Sequence, residues 1–171
     1  MFDISVVMRL ARPRRVFLLM LTAALVMAAA PSHAGVIVIG AGASVSTGAG
    51  QVELGCGDVE IGGSLSGSLS GARNVSFGPG ASVDGASISL SGDWINTGPR
   101  ALNAQVDWPD GCGVGESSML GSSDVTSLVI SSQGGREIRF DAGGEQRVAE
   151  NLSLTGTPGQ LLRLRASAPS Q

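Results

Sequence analysis

Lysine and tyrosine are absent from this chain of 171 residues, histidine occurs once, and aromatic residues make up only 4%. Each shortage excludes something. Beyond residue 34 there is no histidine or lysine to activate either cysteine thiol as a nucleophile. Over the same stretch seven arginines face thirteen acids, a net charge of −6. Tracking a phosphate backbone requires a basic footprint, so nucleic acid is not an expected partner. The scarcity of large rings argues against the bulky core that an antiparallel sandwich of this length calls for. What the chain has in abundance is glycine, 26 residues all lying beyond residue 34, and serine, 23 residues. Glycine disfavours helices and marks tight turns, so a helical bundle is excluded as well.

The N-terminal 34 residues read as a secretory signal peptide. Arg9, Arg12, Arg14 and Arg15 precede an apolar run from Val16 to Ala30, too short to span a bilayer comfortably. Ser32 and Ala34 supply the small residues of a cleavage site between Ala34 and Gly35, which removes His33 with the leader and leaves no stable membrane span. Residues 35–171 then form one domain.

Within that domain apolar residues alternate with polar ones in short bursts. They include Val36–Ile39, Val52–Leu54, Val59–Ile61, Val75–Phe77, Ile88–Leu90, Leu102–Val106, Leu128–Ile130, Ile138–Phe140, Leu152–Leu154 and Leu162–Leu164. Between them stand turn formers: Gly78-Pro79-Gly80, Asp84-Gly85, Asn96-Thr97-Gly98, Asp110-Gly111, Gly134-Gly135, Gly143-Gly144 and Pro158-Gly159. The expected fold is all-β, a right-handed parallel β-helix or solenoid with short irregular coils of roughly 20 to 25 residues, in preference to an antiparallel β-sandwich. Small and β-branched side chains fill a narrow solenoid interior without many rings.

Five phrases carry a family resemblance. They are Ser91-Gly-Asp-Trp-Ile-Asn-Thr-Gly98, Asp110-Gly-Cys-Gly113, Phe140-Asp-Ala-Gly-Gly-Glu-Gln-Arg-Val148, Asn151-Leu-Ser-Leu-Thr-Gly156 and Leu162-Arg-Leu-Arg-Ala-Ser-Ala-Pro169. In this order they resemble secreted bacterial β-helix repeat proteins whose ectodomains precede a C-terminal sorting signal beginning Ile-Pro-Thr-Leu, in the style of filamentous-haemagglutinin adhesins. The resemblance implies export through the inner membrane of a bacterium to the cell surface or the medium. It also implies an adhesive or structural role, with extracellular glycans or proteins as partners. The family continues into a sorting segment that is not found before Gln171, so the expectation is a solenoid incomplete at its C-terminal end, whose open end self-associates.

Three constellations merit chemical scrutiny. Val36-Ile-Val-Ile-Gly-Ala-Gly-Ala-Ser-Val45 imitates a dinucleotide-binding turn, but Val45 stands where the third glycine belongs and no amphipathic helix follows. It is read as the first buried strand and corner, and no cofactor is expected. Cys56 and Cys112, each flanked by glycines, are expected to pair in an oxidising compartment. Bridged Cα atoms lie within about 7 Å, so a link between residues this far apart requires an insertion or a fold-back in the coils. Asp107-Trp108-Pro109-Asp110-Gly111 is the most site-like segment, because an indole flanked by acids suits a sugar. Trp108, Asp107 and Asp110 are thus the candidate glycan contacts, and a polysaccharide lyase or hydrolase using Asp107 and Asp110 is the enzymatic alternative. No catalytic or metal residues are otherwise expected.

Overall fold

The computed structural model describes residues 35–167; the segment 1–34, expected as a leader, and residues 168–171 lie outside the described residues. Thirteen strands form the fold. In chain order they are β1 (Val36–Ile39), β2 (Ser44–Glu53), β3 (Asp58–Ile61), β4 (Ser64–Ala72), β5 (Val75–Phe77), β6 (Ser82–Leu90) and β7 (Trp94–Asn96). There follow β8 (Asn103–Trp108), β9 (Glu116–Leu120), β10 (Ser123–Ser131), β11 (Glu137–Phe140), β12 (Gln146–Thr155) and β13 (Arg163–Ala166). Odd-numbered strands build a seven-stranded sheet in the order β1-β3-β5-β7-β9-β11-β13, and even-numbered strands a six-stranded sheet. Every pairing between named strands is parallel and joins strands two apart in sequence. The chain therefore winds as a β-solenoid of about six turns, each contributing one strand to either sheet.

The coils are irregular, as expected, and their lengths range more widely than roughly 20 to 25 residues. Register partners in the seven-stranded sheet run Val36 to Asp58, Val59 to Val75, Val75 to Trp94, Trp94 to Met119, Glu116 to Glu137 and Glu137 to Arg163, steps of 22, 16, 19, 25, 21 and 26 residues. Strand positions stay in phase while the corners absorb the variation. Asp84-Gly85, expected as a turn, instead lies inside β6, where the register with β8 shifts as at a bulge. The extra residue is taken up without breaking the strand.

Alternation puts one aliphatic column from each strand face into a common core. Val52, Leu69, Ile88, Val106, Leu128 and Leu152 are successive register partners across the six-stranded sheet. Leu69, Ile88, Val106 and Leu128 within that column are all buried. Opposite them sit Val59, Val75, Trp94 and Met119. Phe77 and Trp94 meet within the core, with ring centroids 4.5 Å apart. The first strand corrects the expectation of a buried one. Val36, Ile37 and Val38 are 57%, 39% and 63% exposed and only Ile39 is covered, because among the described residues β1 is an edge strand paired on one side alone.

Candidate functional site

Side chains not needed by the core point outward, and on the six-stranded sheet they form a flat polar face. Gln51, Ser68, Ser87, Gln105, Ser127 and Asn151 are register partners in an unbroken column, one from every strand of the sheet. At a strand spacing of about 4.8 Å the six rungs span roughly 24 Å. Beside this column neighbouring strands are tied to one another by other side chains. Ser70 Oγ donates to Glu53 Oε2 at 2.6 Å, Asn103 Nδ2 to Asp84 Oδ1 at 2.9 Å, and Thr126 Oγ1 to Asn103 Oδ1 at 3.0 Å. Short side chains already bonded along the sheet leave little rotamer freedom to lose on binding. The serine alternation in the sequence points to such a face; the straightness of the column emerges only from the register.

Asp107 belongs to this face, outward between Ser89 and Val129. Its neighbour Trp108 does not. The indole is fully buried, and its Nε1–H donates to the carbonyl of Gly92 at 3.0 Å. Stacking of Trp108 on a sugar is therefore corrected: the ring fills the core one step further along the phase of Leu102, Ala104 and Val106. Among the described residues both tryptophans and Phe77 are buried, and no aromatic ring is offered to a glycan on the polar face.

Asp110 lies round the corner, in the loop Pro109–Gly115 joining β8 to β9. Its Oδ2 accepts hydrogen bonds from Ser132 Oγ at 3.1 Å, Gln133 N at 2.7 Å and Gly134 N at 2.9 Å. Partial burial pushes the Asp110 carboxyl up. The Gly134 and Gln133 amides, the Ser132 hydroxyl and the nearby Arg136 charge outweigh it and hold the group below the ordinary carboxylate range. A carboxylate so held is a poor general acid, because a glycosidase acid needs its pKa raised. Asp110 borders an open hollow of about 360 Å³ over Gly111–Gly115 that Asp107 does not line. Among the described residues no three histidine, cysteine, aspartate or glutamate side chains converge as a metal site needs.

The same corner holds a buried arginine. Arg136 is 2% exposed. Its Nη1 donates to Pro109 O at 2.9 Å and its Nη2 to Ser117 Oγ at 2.6 Å and to Ser91 O. Its guanidinium stands 5.4 Å from the Trp108 ring centroid. Burial pushes the Arg136 pKa down, and Asp110 and Asp93 oppose that. One cation thereby ties the corners after β6 and β8 to β9, which is a structural task.

Cys56 and Cys112 are bonded, with Cα atoms 5.5 Å apart. Cys56 sits between β2 and β3, Cys112 between β8 and β9, so three turns separate their strands. Three strand spacings amount to about 14 Å, which means that the two loops lean toward each other across the short corners Arg73–Asn74 and Ser91–Asp93. The seven-residue loop Pro109–Gly115 is the insertion that permits this. Beneath the strap runs a ladder of side chains. Asn74 Nδ2 donates to Asp58 Oδ1 at 2.9 Å, Asp93 N to Asn74 Oδ1 at 2.8 Å, and Ser118 N to Asp93 Oδ1 at 2.8 Å.

Of the cleavage residues, Ala34 lies outside the described residues and Gly35 directly precedes β1. Comparison of the chain with protein-family models, with curated proteins and with solved structures gives no match.

Proposed function

We propose that the chain is an exported, non-catalytic surface module that displays the outer face of its six-stranded sheet to extracellular glycans or proteins. The observation that carries this reading is the column Gln51, Ser68, Ser87, Gln105, Ser127 and Asn151. It is an uncharged, hydrogen-bonding row, suited to weak contacts repeated along an extended partner, where affinity comes from multivalency. Export is supported by the leader-like N-terminus and by a disulfide, which persists in oxidising compartments.

The test is binding of the chain from Gly35 onward to immobilised surface polysaccharides and matrix proteins. Its control is a variant carrying Ser87→Arg and Gln105→Arg, two outward positions at which arginine costs the core nothing. Binding that disappears in this variant, with the circular dichroism unchanged, is the expected result. Binding indifferent to both substitutions overturns the face assignment. Release of new reducing ends or unsaturated uronates from an acidic polysaccharide, abolished by Asp110→Ala, would establish the enzymatic alternative in its place.

A further inference from the structure

We infer that the partner of the polar face is a neutral, extended, equatorially linked polysaccharide lying along the solenoid axis, one sugar ring to each strand. This rests on the reading of that face as a binding surface and names the chemistry it selects.

Of the outward rows on the six-stranded sheet, only Gln51, Ser68, Ser87, Gln105, Ser127 and Asn151 pair through all six strands. Every register shift in the sheet falls before or after that row, as between Asp84 and Ala86 or between Leu69 and Ala72. Its repeat is therefore the strand spacing, about 4.8 Å. A pyranose ring in an extended, equatorially linked chain advances by about 5 Å and stays within half a strand spacing of the row over six rungs. An extended peptide presents a side chain to one face only every 6.6 Å, roughly, and is out of step by the third rung. An α-helix, repeating at about 5.4 Å, drifts by about 3 Å over the five steps, more than half a rung.

The side chains of the row suit sugar hydroxyls, because hydroxyl and amide groups each donate and accept. Ser87 and Gln105 are exposed and Ser68 half-exposed. Among the described residues these three, on successive strands, are free of the ties that Gln51 and Asn151 make to Glu53 and Ser127. Charge excludes an acidic polymer. Rows two residues apart on a strand lie about 7 Å from one another, inside the Debye length of about 8 Å at physiological salt. The charged residues in the adjoining rows are Glu53 and Asp107 on one side and Asp84 on the other, all acids. Arg147, further out on β12, is paired with Glu145. A uronate or phosphate polymer is repelled there and a neutral one is not. With both tryptophans and Phe77 buried, affinity accumulates from hydrogen bonds, rung by rung.

The experiment is calorimetric titration of the chain from Gly35 onward with β-1,4-linked glucose oligomers of two to six rings. Two series run beside it: α-1,4-linked glucose oligomers, which coil, and β-1,4-linked mannuronate oligomers, which keep the extended shape and add a carboxylate to every ring. Affinity for the β-glucose series is expected to rise with every ring through six. The six-ring coiled and anionic oligomers are expected to bind roughly tenfold more weakly or worse. Ser87→Ala with Gln105→Ala, both outward, is expected to weaken the six-ring β-glucose ligand roughly tenfold with circular dichroism unchanged. Failure of that ligand to bind, affinity that levels at two or three rings, or equal affinity for the coiled or anionic oligomer each overturns the inference. A protein ligand that binds and is lost in the Ser87→Arg, Gln105→Arg variant, while no oligomer binds, overturns it and leaves the display reading standing. Indifference of every ligand to the face variants overturns both.

Discussion

The guanidinium of Arg136 lies 5.4 Å from the ring centroid of Trp108, and both side chains are buried. A charge in that position is held by the indole face and by three oxygen acceptors, Pro109 O, Ser117 Oγ and Ser91 O. Arg136→Leu removes the donors and leaves carbonyls in an interior that water does not reach. Unfolding in urea, followed by the fluorescence of the two buried tryptophans, is expected to show a loss of roughly 2–4 kcal/mol. Arg136→Lys restores part of it, since one ammonium cannot span acceptors that a planar fork bridges.

That pair also shows where the sequence is legible and where it is not. Trp108 extends the period of Leu102, Ala104 and Val106 by one step, and Arg136 that of Ile138 and Phe140 by one step backward, so strand phase marks both as inward. For Trp108 residue type argued otherwise: a tryptophan among acids suggested a sugar platform. The bursts at Val75–Phe77 and Ile138–Phe140 match β5 and β11 closely because short strands between glycine corners carry a complete alternation. β7 escaped because polar Asn96 takes an inward position while aliphatic Ile95 faces outward, and β9 because Glu-Ser-Ser-Met-Leu places Ser117 inward and so breaks the period. Which residues stand side by side on the polar face depends on corner length, from two residues at Gly62–Gly63 to seven at Pro109–Gly115, and local pattern does not encode that register.

The Cys56–Cys112 strap predicts a large effect on global stability, with local opening added at the two corners it joins. Both residues adopt left-handed backbone, with φ of 69° and 51°, conformations that side-chain-bearing residues sustain only when surroundings enforce them. Closing a loop of 56 residues contributes about 4 kcal/mol by removing chain entropy from the unfolded state. Cys56→Ser together with Cys112→Ser is expected to lower the unfolding free energy by that order. Amides of β4, β6 and β8 that exchange only by global unfolding should lose protection by that same free energy, and Leu54–Gly57 and Pro109–Gly115 should exchange faster still through local opening. Core protection unchanged in the double variant would contradict the chain-entropy account.

Asp110 predicts an acid dependence of definite sign. Its carboxyl is held below the ordinary value, so the unfolded chain takes up a proton at higher pH than the folded one. The stability it adds is complete above the unfolded value of about 3.9 and drains as pH falls through the folded value. Asp110→Ala is expected to cost most near neutrality and progressively less toward pH 3. Urea midpoints for the two proteins should therefore converge on acidification. Parallel curves would mean that the amides of Gln133 and Gly134 find equivalent acceptors without the carboxylate.

Two glycines with the same backbone conformation separate steric from conformational cost. Gly121, in the two-residue corner between β9 and β10, has φ 78°, and Gly113 in the strapped loop has φ 70°. A Cβ at Gly121 runs into the carbonyl oxygen of Asn96, whereas one at Gly113 meets nothing within 4 Å. Asn96 cannot yield, because its side-chain amide is anchored to Pro99 O at 2.9 Å and Ser122 O at 2.8 Å. Gly113→Ala carries the left-handed penalty alone, about 1–2 kcal/mol. Gly121→Ala adds displacement of a packed strand end, for a total of roughly 3–5 kcal/mol. Thermal or urea unfolding of the two variants side by side checks the difference; equal losses would show that the corner between β9 and β10 relaxes freely, which the anchoring of Asn96 argues against.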